Sequence, residues 1–365
     1  MTIDPDDTSA AALAAENRVA EIAMIRESAA GLAPRIGDRR RARALRFQAP
    51  GFDPAVLREM AGLGWIGLRL PEAAGGVGLG MGACCAVAEE LGAALAPEPL
   101  VGAALAASVL AACGAAGPLP SVLSGERLVL LAWQEAPGTL DVPGTAEAPR
   151  LFLSGAGGAD AFLVPVARDG RTELWLQAAE GADLTLDGTQ DGGFFGTLRP
   201  SKGGTLVAAD AGPALEAALD EAALATAAML LGVMEQAFAL TLDYLRTRQQ
   251  FGKPIGSFQA LQHRAADLKV QVALSRASIE AAAAALDGGV AASVRRAAVS
   301  RAKARASEAA LLVTRQAIQL HGGIGYTDEA DIGLYLRRAM VLANQFGSAA
   351  THRRRFAANA PEDDA

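Results

Sequence analysis

Three residues suited to ligand binding lie within one short stretch of the chain. Arg248, Phe251 and Gln259 supply a fixed cation, an aromatic face and an amide. Such a set can hold a ligand only if the backbone keeps its members together. On spacing alone, the stretch is more typical of an ordinary helical hairpin that carries an exposed arginine.

The elements on either side of this stretch would have to position these side chains. Upstream, apolar residues recur every three or four positions, at Met234, Phe238, Leu242 and Leu245. This period predicts a helix with one apolar face, which should end near Gln250 because Gly252 and Pro254 follow. A second helix is predicted from Ser257, whose side chain is a good N-cap. The tight connection would keep the three side chains at one end of an antiparallel helix pair.

The 365 residues divide into three parts by pattern. Residues 1–125 are predicted to form an N-terminal helical domain. Residues 126–211 carry short apolar runs between glycine, proline and aspartate, which predicts a middle β domain, either a barrel or a sandwich. Residues 212–365 are predicted to form an antiparallel C-terminal helical bundle, with four long helices at Ala214 to Gln250, Ser257 to Leu286, Val290 to His321 and Asp331 to Ala358. The predicted fold class is therefore α+β.

Composition limits the classes of function. The formal net charge of −7 argues against a broad nucleic-acid-binding surface. The three cysteines and three histidines are scattered, so we predict no metal site, no disulfide framework and no Ser-His-Asp triad. The arginine runs at residues 39–43 and 353–355 are expected to be solvated helix faces.

The sequence predicts neither a targeting signal nor a membrane segment. Its first residues, MTIDPDD, are acidic, and no basic segment followed by an apolar run marks a signal peptide. No window of about 20 residues is free of charges and helix breakers, as a membrane span requires. We therefore expect a cytoplasmic protein that does not bind membranes.

Two longer strings carry a family resemblance. Residues Arg248 to Gln259 read R-Q-Q-F-G-K-P-I-G-S-F-Q, and residues Gln319 to Thr327 read Q-L-H-G-G-I-G-Y-T. In this order and spacing they resemble the two C-terminal signatures of the acyl-CoA dehydrogenase family. The glycine-rich segment from Leu63 to Gly80 looks like that family's link between N-terminal helices. The resemblance covers most of the chain.

The resemblance implies an enzyme that introduces an α,β double bond into an acyl-CoA thioester, with FAD as the hydride acceptor. In the family, the two strings contact FAD that is bound mainly by a neighbouring subunit. Arg248 would pair with the pyrophosphate through a two-point fork, Phe251 would cover the dinucleotide, and Gln259 would hydrogen-bond to it. Gln319 and the pair Gly322–Gly323 would allow a close backbone approach to the adenosine end.

The catalytic base of the family is missing from its expected positions. The usual glutamate, which precedes a glycine in the last helices, aligns with Phe346, and phenylalanine cannot accept a proton. Some relatives use a glutamate about ten residues before a glycine in the first bundle helix, but Ala222 occupies that position. Glu221 is the nearest carboxylate, but a one-residue offset rotates a helical side chain by about 100°, so a solvated helix face is the expected role. No catalytic residue is assigned.

The middle segment also departs from the family pattern. Ser154 and Gly155 replace part of a W-x-I-T-N-G strand that holds the flavin ring, and Gln190 replaces the arginine of a D-x-T-R turn. The elements for the chain's own flavin are therefore degraded, whereas those that serve a neighbour's flavin are kept.

This asymmetry resembles one subunit type of the heterotetrameric bacterial acyl-CoA dehydrogenases, notably those of steroid side-chain breakdown. It implies a paralogous catalytic subunit, an acyl-CoA substrate of fatty or steroid origin, and an electron-transfer flavoprotein as acceptor. Three alternatives stay open: a self-sufficient homotetrameric dehydrogenase, a superfamily relative such as a nitroalkane oxidase or flavin monooxygenase, and a flavin-free structural or regulatory subunit.

Overall fold

The computed structural model describes residues 20–34 and 39–360, and its N-terminal part is helical. The helices are α1 (20–32), α2 (Arg40–Leu45), α3 (Pro54–Gly62), α4 (Met81–Ala94), α5 (Leu100–Ala112) and α6 (Leu119–Leu123). Helix α3 begins where local chemistry dictates, because the Asp53 carboxylate accepts the Ala55 N–H and Pro54 occupies the first turn. Helix α4 is capped from a distance: the Asp287 carboxylate accepts the Met81 N–H at 2.6 Å.

The middle part of the chain forms seven strands in two sheets. The strands are β1 (Val129–Leu131), β2 (Arg150–Ser154), β3 (Ala161–Arg168), β4 (Arg171–Ala178), β5 (Asp183–Gly188), β6 (Phe194–Arg199) and β7 (Thr205–Ala208). One sheet has the order β1-β3-β4-β7, with β1 parallel to β3, and the other has the antiparallel order β2-β6-β5. Neither sheet of this described segment closes on itself, so the barrel alternative is wrong.

Turn chemistry sets the registers of these strands. Strands β3 and β4 meet at Asp169 and Gly170, both with positive φ, as the tight D-G hairpin turn requires. Strand β2 is irregular between Arg150 and Leu153, and Phe152 within it has a φ of 60°. Phe152 lines a cavity together with residues 344–348, which connect two C-terminal helices.

Residues 212–360 form five α-helices rather than the predicted four. They are α7 (Gly212–Thr247), α8 (Gln259–Asp287), α9 (Ala292–His321), α10 (Ile332–Leu342) and α11 (Ala349–Asn359), with a short hairpin, β8 (Gln249–Gln250) and β9 (Lys253–Pro254), between α7 and α8. The predicted last helix is interrupted at residues 343–348, where Phe346 and Gly347 have positive φ. The predicted cap is also wrong, because the Ser257 hydroxyl donates to the Pro254 carbonyl and α8 begins at Gln259.

Helix α7 is the centre of the fold. It packs against α4 so closely that a side chain at Gly232 would collide with the Glu89 carbonyl, and one at Gly92 with the Met229 carbonyl. Among the described residues, α7 is the one helix long and apolar enough to cross a membrane, but 72% of its most apolar window is buried inside the protein. Its composition is therefore that of a core helix.

The arginine runs are only partly the predicted solvated faces. Arg40, Arg41, Arg353 and Arg354 are exposed, whereas the prediction is wrong for Arg39 and Arg355. Arg39 is buried and its Nε donates to the Tyr335 hydroxyl at 2.8 Å, which joins the start of α2 to α10. In the other run, Arg355 pairs with Asp220, which is fully buried on α7. The α+β class is confirmed, whereas the boundaries at residues 125/126 and 211/212 stay predictions.

Candidate functional site

The first string forms an exposed hairpin at one end of the helical bundle. Strands β8 and β9 are joined by Phe251 and Gly252, with φ of 55° and 77°, the combination that a type I′ turn needs. Phe251 therefore stands at the tip, and 89% of its surface is exposed. A large apolar side chain held outward by an unusual backbone conformation is typical of a contact surface rather than of a core.

Arg248 lies directly after α7 and is fixed through its backbone. Its N–H donates to the Tyr244 carbonyl, and its carbonyl accepts the Ile255 N–H, both at 2.8 Å. Its exposed guanidinium makes no ion pair or hydrogen bond to another residue of 20–34 or 39–360. Gln259, the first residue of α8, is also exposed. The hairpin thus presents a free cation, a ring and an amide.

The second string lies beside the first. The His321 ring at the end of α9 stacks on Tyr244 of α7, with 4.5 Å between ring centres. Gln319 is exposed on the last turn of α9, and Gly322 and Gly323 follow on the surface. The tertiary structure therefore brings both strings to one end of the bundle. We call this the motif surface, defined by Arg248, Phe251, Gln259, Gln319, Gly322 and Gly323.

Gly322 and Gly323 differ in whether the backbone conformation requires glycine. Gly322 has φ 66° and ψ −144°, a conformation accessible essentially to glycine alone. Gly323 has no such φ, and a side chain there would contact no atom within 4 Å. Packing against the described residues therefore gives no reason for glycine at position 323. An open backbone of this kind admits the close approach of another molecule.

Phe346 lies at a separate cavity of about 490 Å³ between the β strands and the α10–α11 turn. The cavity is lined by aromatic, amide and small residues: Trp133, Gln134, Pro137, Gly138, Phe152, Phe195, Asn344, Gln345, Phe346, Gly347 and Ser348. None of these side chains is ionisable near neutral pH. The cavity therefore offers aromatic faces to a flat ligand, but no group of its lining can remove a proton.

Two buried basic residues lie behind the α10–α11 turn. The amine of Lys303 and the ring of His352, both fully buried, hydrogen-bond to its backbone carbonyls. Burial lowers the pKa of Lys303 to about 7. Burial and the nearby charge of Lys303 lower the pKa of His352 to about 3, so its ring is neutral. No sequence pattern marks either residue, because an isolated lysine or histidine in a helix pattern is usually exposed or structural.

Glu221 is not part of the Phe346 cavity. Its carboxylate pairs with Arg69 and accepts a hydrogen bond from the Ser108 hydroxyl at 3.3 Å. Burial raises its pKa, against the opposing charge of Arg69. It lines a smaller cavity of about 60 Å³ with Trp65, Cys84 and other apolar residues. The predicted solvated face is therefore wrong for Glu221, and the contacts describe an ion pair between α7 and the α3–α4 loop.

The departures from the family pattern lie at the end of β2 and in the β5–β6 turn. Ser154 is the last residue of β2 and Gly155 follows it, while Gln190 is exposed in the β5–β6 turn. Beside it, Asp191 accepts a hydrogen bond from Arg338 of α10 at 2.9 Å.

Cys84 and Cys85 are free thiols, and burial raises their pKa. Across residues 20–34 and 39–360, no group of three or more His, Cys, Asp or Glu side chains is placed to hold a metal ion.

Known proteins share the sequence and the fold. The family model of the acyl-CoA dehydrogenase C-terminal domain matches residues 212–360, and that of the N-terminal domain matches residues 20–117. The acyl-CoA dehydrogenase IpdE2 of Mycolicibacterium smegmatis is 34% identical over 339 residues, which cover 92% of this chain and 97% of that protein.

Solved structures agree over nearly the whole chain. A variant of the Tcur3481–Tcur3483 steroid ACAD aligns with a TM-score of 0.82 and 30% identity, covering 96% of this chain and 99% of that chain. The ChsE4–ChsE5 complex from Mycobacterium tuberculosis aligns with a TM-score of 0.83 and 27% identity, covering 93% and 98%.

Proposed function

The chain belongs to the acyl-CoA dehydrogenase family, and from that premise we propose that it completes the FAD site of an unlike, catalytic subunit. Members of this family are FAD-dependent oxidoreductases that act on the CH–CH group of acyl-CoA thioesters. The proposed division of labour is that this chain binds part of the flavin nucleotide, while the partner supplies the proton-abstracting base.

One observation carries the proposal: the motif surface is exposed, and within residues 20–34 and 39–360 its cation has no ion-pair or hydrogen-bond partner. The Arg248 guanidinium is free, Phe251 is 89% exposed, and Gly323 is open without an internal reason. By contrast, most of the other arginines discussed above pair with carboxylates. A surface cation fixed by its backbone but left unpaired suits the phosphates of a dinucleotide.

The residues present fit FAD in chemical type. FAD, when bound, supplies the hydride acceptor. Arg248 would bind the pyrophosphate, Phe251 would cover the dinucleotide, and Gln259 would hydrogen-bond to it. Gln319 with Gly322–Gly323 would contact the adenosine end. Each of these groups binds or orients, and none of them moves a proton.

The cavity beside Phe346 supports a non-catalytic role for this chain. Phenylalanine replaces the carboxylate that the family places before this glycine, and no other lining residue is ionisable. Glu221 is held in an ion pair with Arg69 and lines a different cavity. Proton abstraction at the α-carbon would therefore depend on the partner subunit.

The relatives suggest the substrate class. A solved neighbour at 30% identity is a steroid ACAD, and another is a complex of two differently named chains. We accordingly infer an acyl-CoA thioester of steroid origin, a paralogous partner subunit, and an electron-transfer flavoprotein as electron acceptor. We further propose that the complex is cytoplasmic.

The test is to purify the chain alone and together with an acyl-CoA dehydrogenase paralogue from the same genome. The lone chain should carry little flavin, whereas the complex should be yellow and its flavin should be bleached by a suitable acyl-CoA. Replacing the partner's glutamate by glutamine should abolish bleaching without releasing flavin. A lone chain with full flavin and activity would instead establish a self-sufficient enzyme, and a colourless complex would establish a structural subunit.

A further inference from the structure

Lys303 stabilises the turn between α10 and α11 through hydrogen bonds to its backbone. This lysine lies on α9 and is fully buried. Its amine donates to the carbonyls of Leu342 at 3.3 Å, Ala343 at 3.1 Å and Gly347 at 2.9 Å, and its fourth neighbour is the Ser307 hydroxyl at 3.1 Å. Two of the carbonyls precede Phe346 and one follows it, so a single amine closes the turn.

The choice of a lysine has a physical reason. The last carbonyls of a helix have no partner within the helix, and the negative end of the helix dipole attracts a cation. Lys303 forms no ion pair with a carboxylate in residues 20–34 and 39–360, so the carbonyls and one hydroxyl are what hold its amine. Burying an amine without a carboxylate partner is unfavourable in free energy. The hydrogen bonds that hold the turn must offset this penalty.

His352 of α11 secures the same turn from the other side. Its Nε2 lies 2.8 Å from the Phe346 carbonyl, and its Nδ1 lies 3.3 Å from the Ser300 hydroxyl. The carbonyl can only accept, so Nε2 carries the proton and Nδ1 accepts from Ser300. Gly347 is required beside this ring, because its φ is 97° and a side chain there would lie 2.7 Å from Nε2.

All these hydrogen bonds reach the turn through backbone carbonyls, and none uses the side chain at position 346. We propose that Lys303 is a positioning residue for position 346: its amine sets the turn, and the side chain at 346 takes no part in forming it. The proposal is independent of whether the chain completes a partner's flavin site. It explains how Phe346, at a φ of 52°, is kept in a conformation that is strained for a bulky residue.

It follows that the backbone of the α10–α11 turn is fixed, whereas the side chain at position 346 can be exchanged without changing the turn. The turn places whatever side chain stands at position 346 at the wall of the 490 Å³ cavity. Lys303 therefore decides where that group stands, and residue 346 decides only its chemistry. A Phe346→Glu variant should keep the turn and present a carboxylate to a cavity whose other lining residues are not ionisable.

Native-state hydrogen exchange of the full-length chain, in its complex if it is purified as one, tests the proposal. The probes are the amides of Ala343 and Asn344, which donate to the Ala339 and Val341 carbonyls. Lys303→Met should leave the Leu342 and Gly347 carbonyls without a donor, while the Ser307 hydroxyl still donates to the Ala343 carbonyl at 3.3 Å. Exchange at these amides should then be roughly ten- to a hundredfold faster, while α5 changes much less. Phe346→Ala and Phe346→Glu should each leave the same amides within about threefold of the wild type.

Two further variants keep the test decisive. Lys269→Met removes an exposed lysine of α8 and should change nothing at the turn. Should Lys303→Met fail to fold, Lys303→Gln, which keeps two N–H donors, should retain more protection than Lys303→Ala. Unchanged exchange in the Lys303 variants, equal acceleration across α5 and the turn, or loss of protection in Phe346→Ala would each overturn the proposal.

Discussion

Replacing Arg248 by methionine should separate flavin affinity from stability. The guanidinium is exposed and makes no ion pair within the described residues, so its removal should change the free energy of unfolding by less than about 0.5 kcal/mol. If Arg248 binds phosphate oxygens of FAD, the complex loses a charge-assisted interaction of about 1.5–3 kcal/mol. Flavin should then dissociate with a Kd roughly 10- to 150-fold higher.

Arg246 provides a matched control two residues away. It is also exposed, and its guanidinium pairs with Asp243 at 3.2 Å, with both side chains more than 70% exposed. Such a surface pair contributes about 0–1 kcal/mol, so Arg246→Met should cost little stability and no flavin. The assay is equilibrium dialysis of the purified complex followed by flavin fluorescence, alongside thermal unfolding. Equal flavin loss in both variants, or none in Arg248→Met, would refute the assignment.

Three further outcomes are expected. Burial lowers the pKa of His352 from 6.5 to about 3, so the unfolded chain binds more protons than the folded chain between these pH values. The free energy of unfolding should therefore fall as the pH drops through this window, by up to about 1.4 kcal/mol per pH unit. His352→Gln should flatten that slope in urea titrations compared with the wild type. Burial alone would raise the pKa of Glu89, but hydrogen bonds from two arginines lower this pKa to about 2. Glu89→Gln should therefore lower the free energy of unfolding, measured in urea, by about 2 kcal/mol. Glu280→Gln, at an exposed position, should change it by nearly nothing. Gly323→Ala should leave the melting temperature unchanged and reduce flavin retention, whereas Gly256→Ala should lower the melting temperature, because its new methyl group would lie 2.8 Å from the Leu245 carbonyl.

The order of helices, strands and helices could be predicted because each pattern depends on neighbours within a few residues. Apolar residues at helical period marked α7, and short runs bounded by turn residues marked the strands. The break at residues 343–348 could not be predicted in this way. It depends on Lys303 and His352, which lie on other helices and reach the turn only after folding.

The predicted solvated faces are wrong at Arg39 and Glu221 for a related reason. Arginines at 39–43 are locally indistinguishable from a solvated face, yet Arg39 is buried against Tyr335, almost three hundred residues away. Glu221 pairs with Arg69 from a different part of the chain. Sequence patterns give the face of a helix but do not give the partner that covers it.

The sequence by itself determined the residue types at the motif surface and the missing carboxylate at Phe346, because both are matters of identity and local spacing. Tertiary structure alone decided that the two strings meet at one end of the bundle, that Phe251 projects from the tip of a β hairpin, and that a buried amine holds the Phe346 turn. The physical reason is that side-chain chemistry is local, whereas burial and convergence result from packing between segments far apart in the chain.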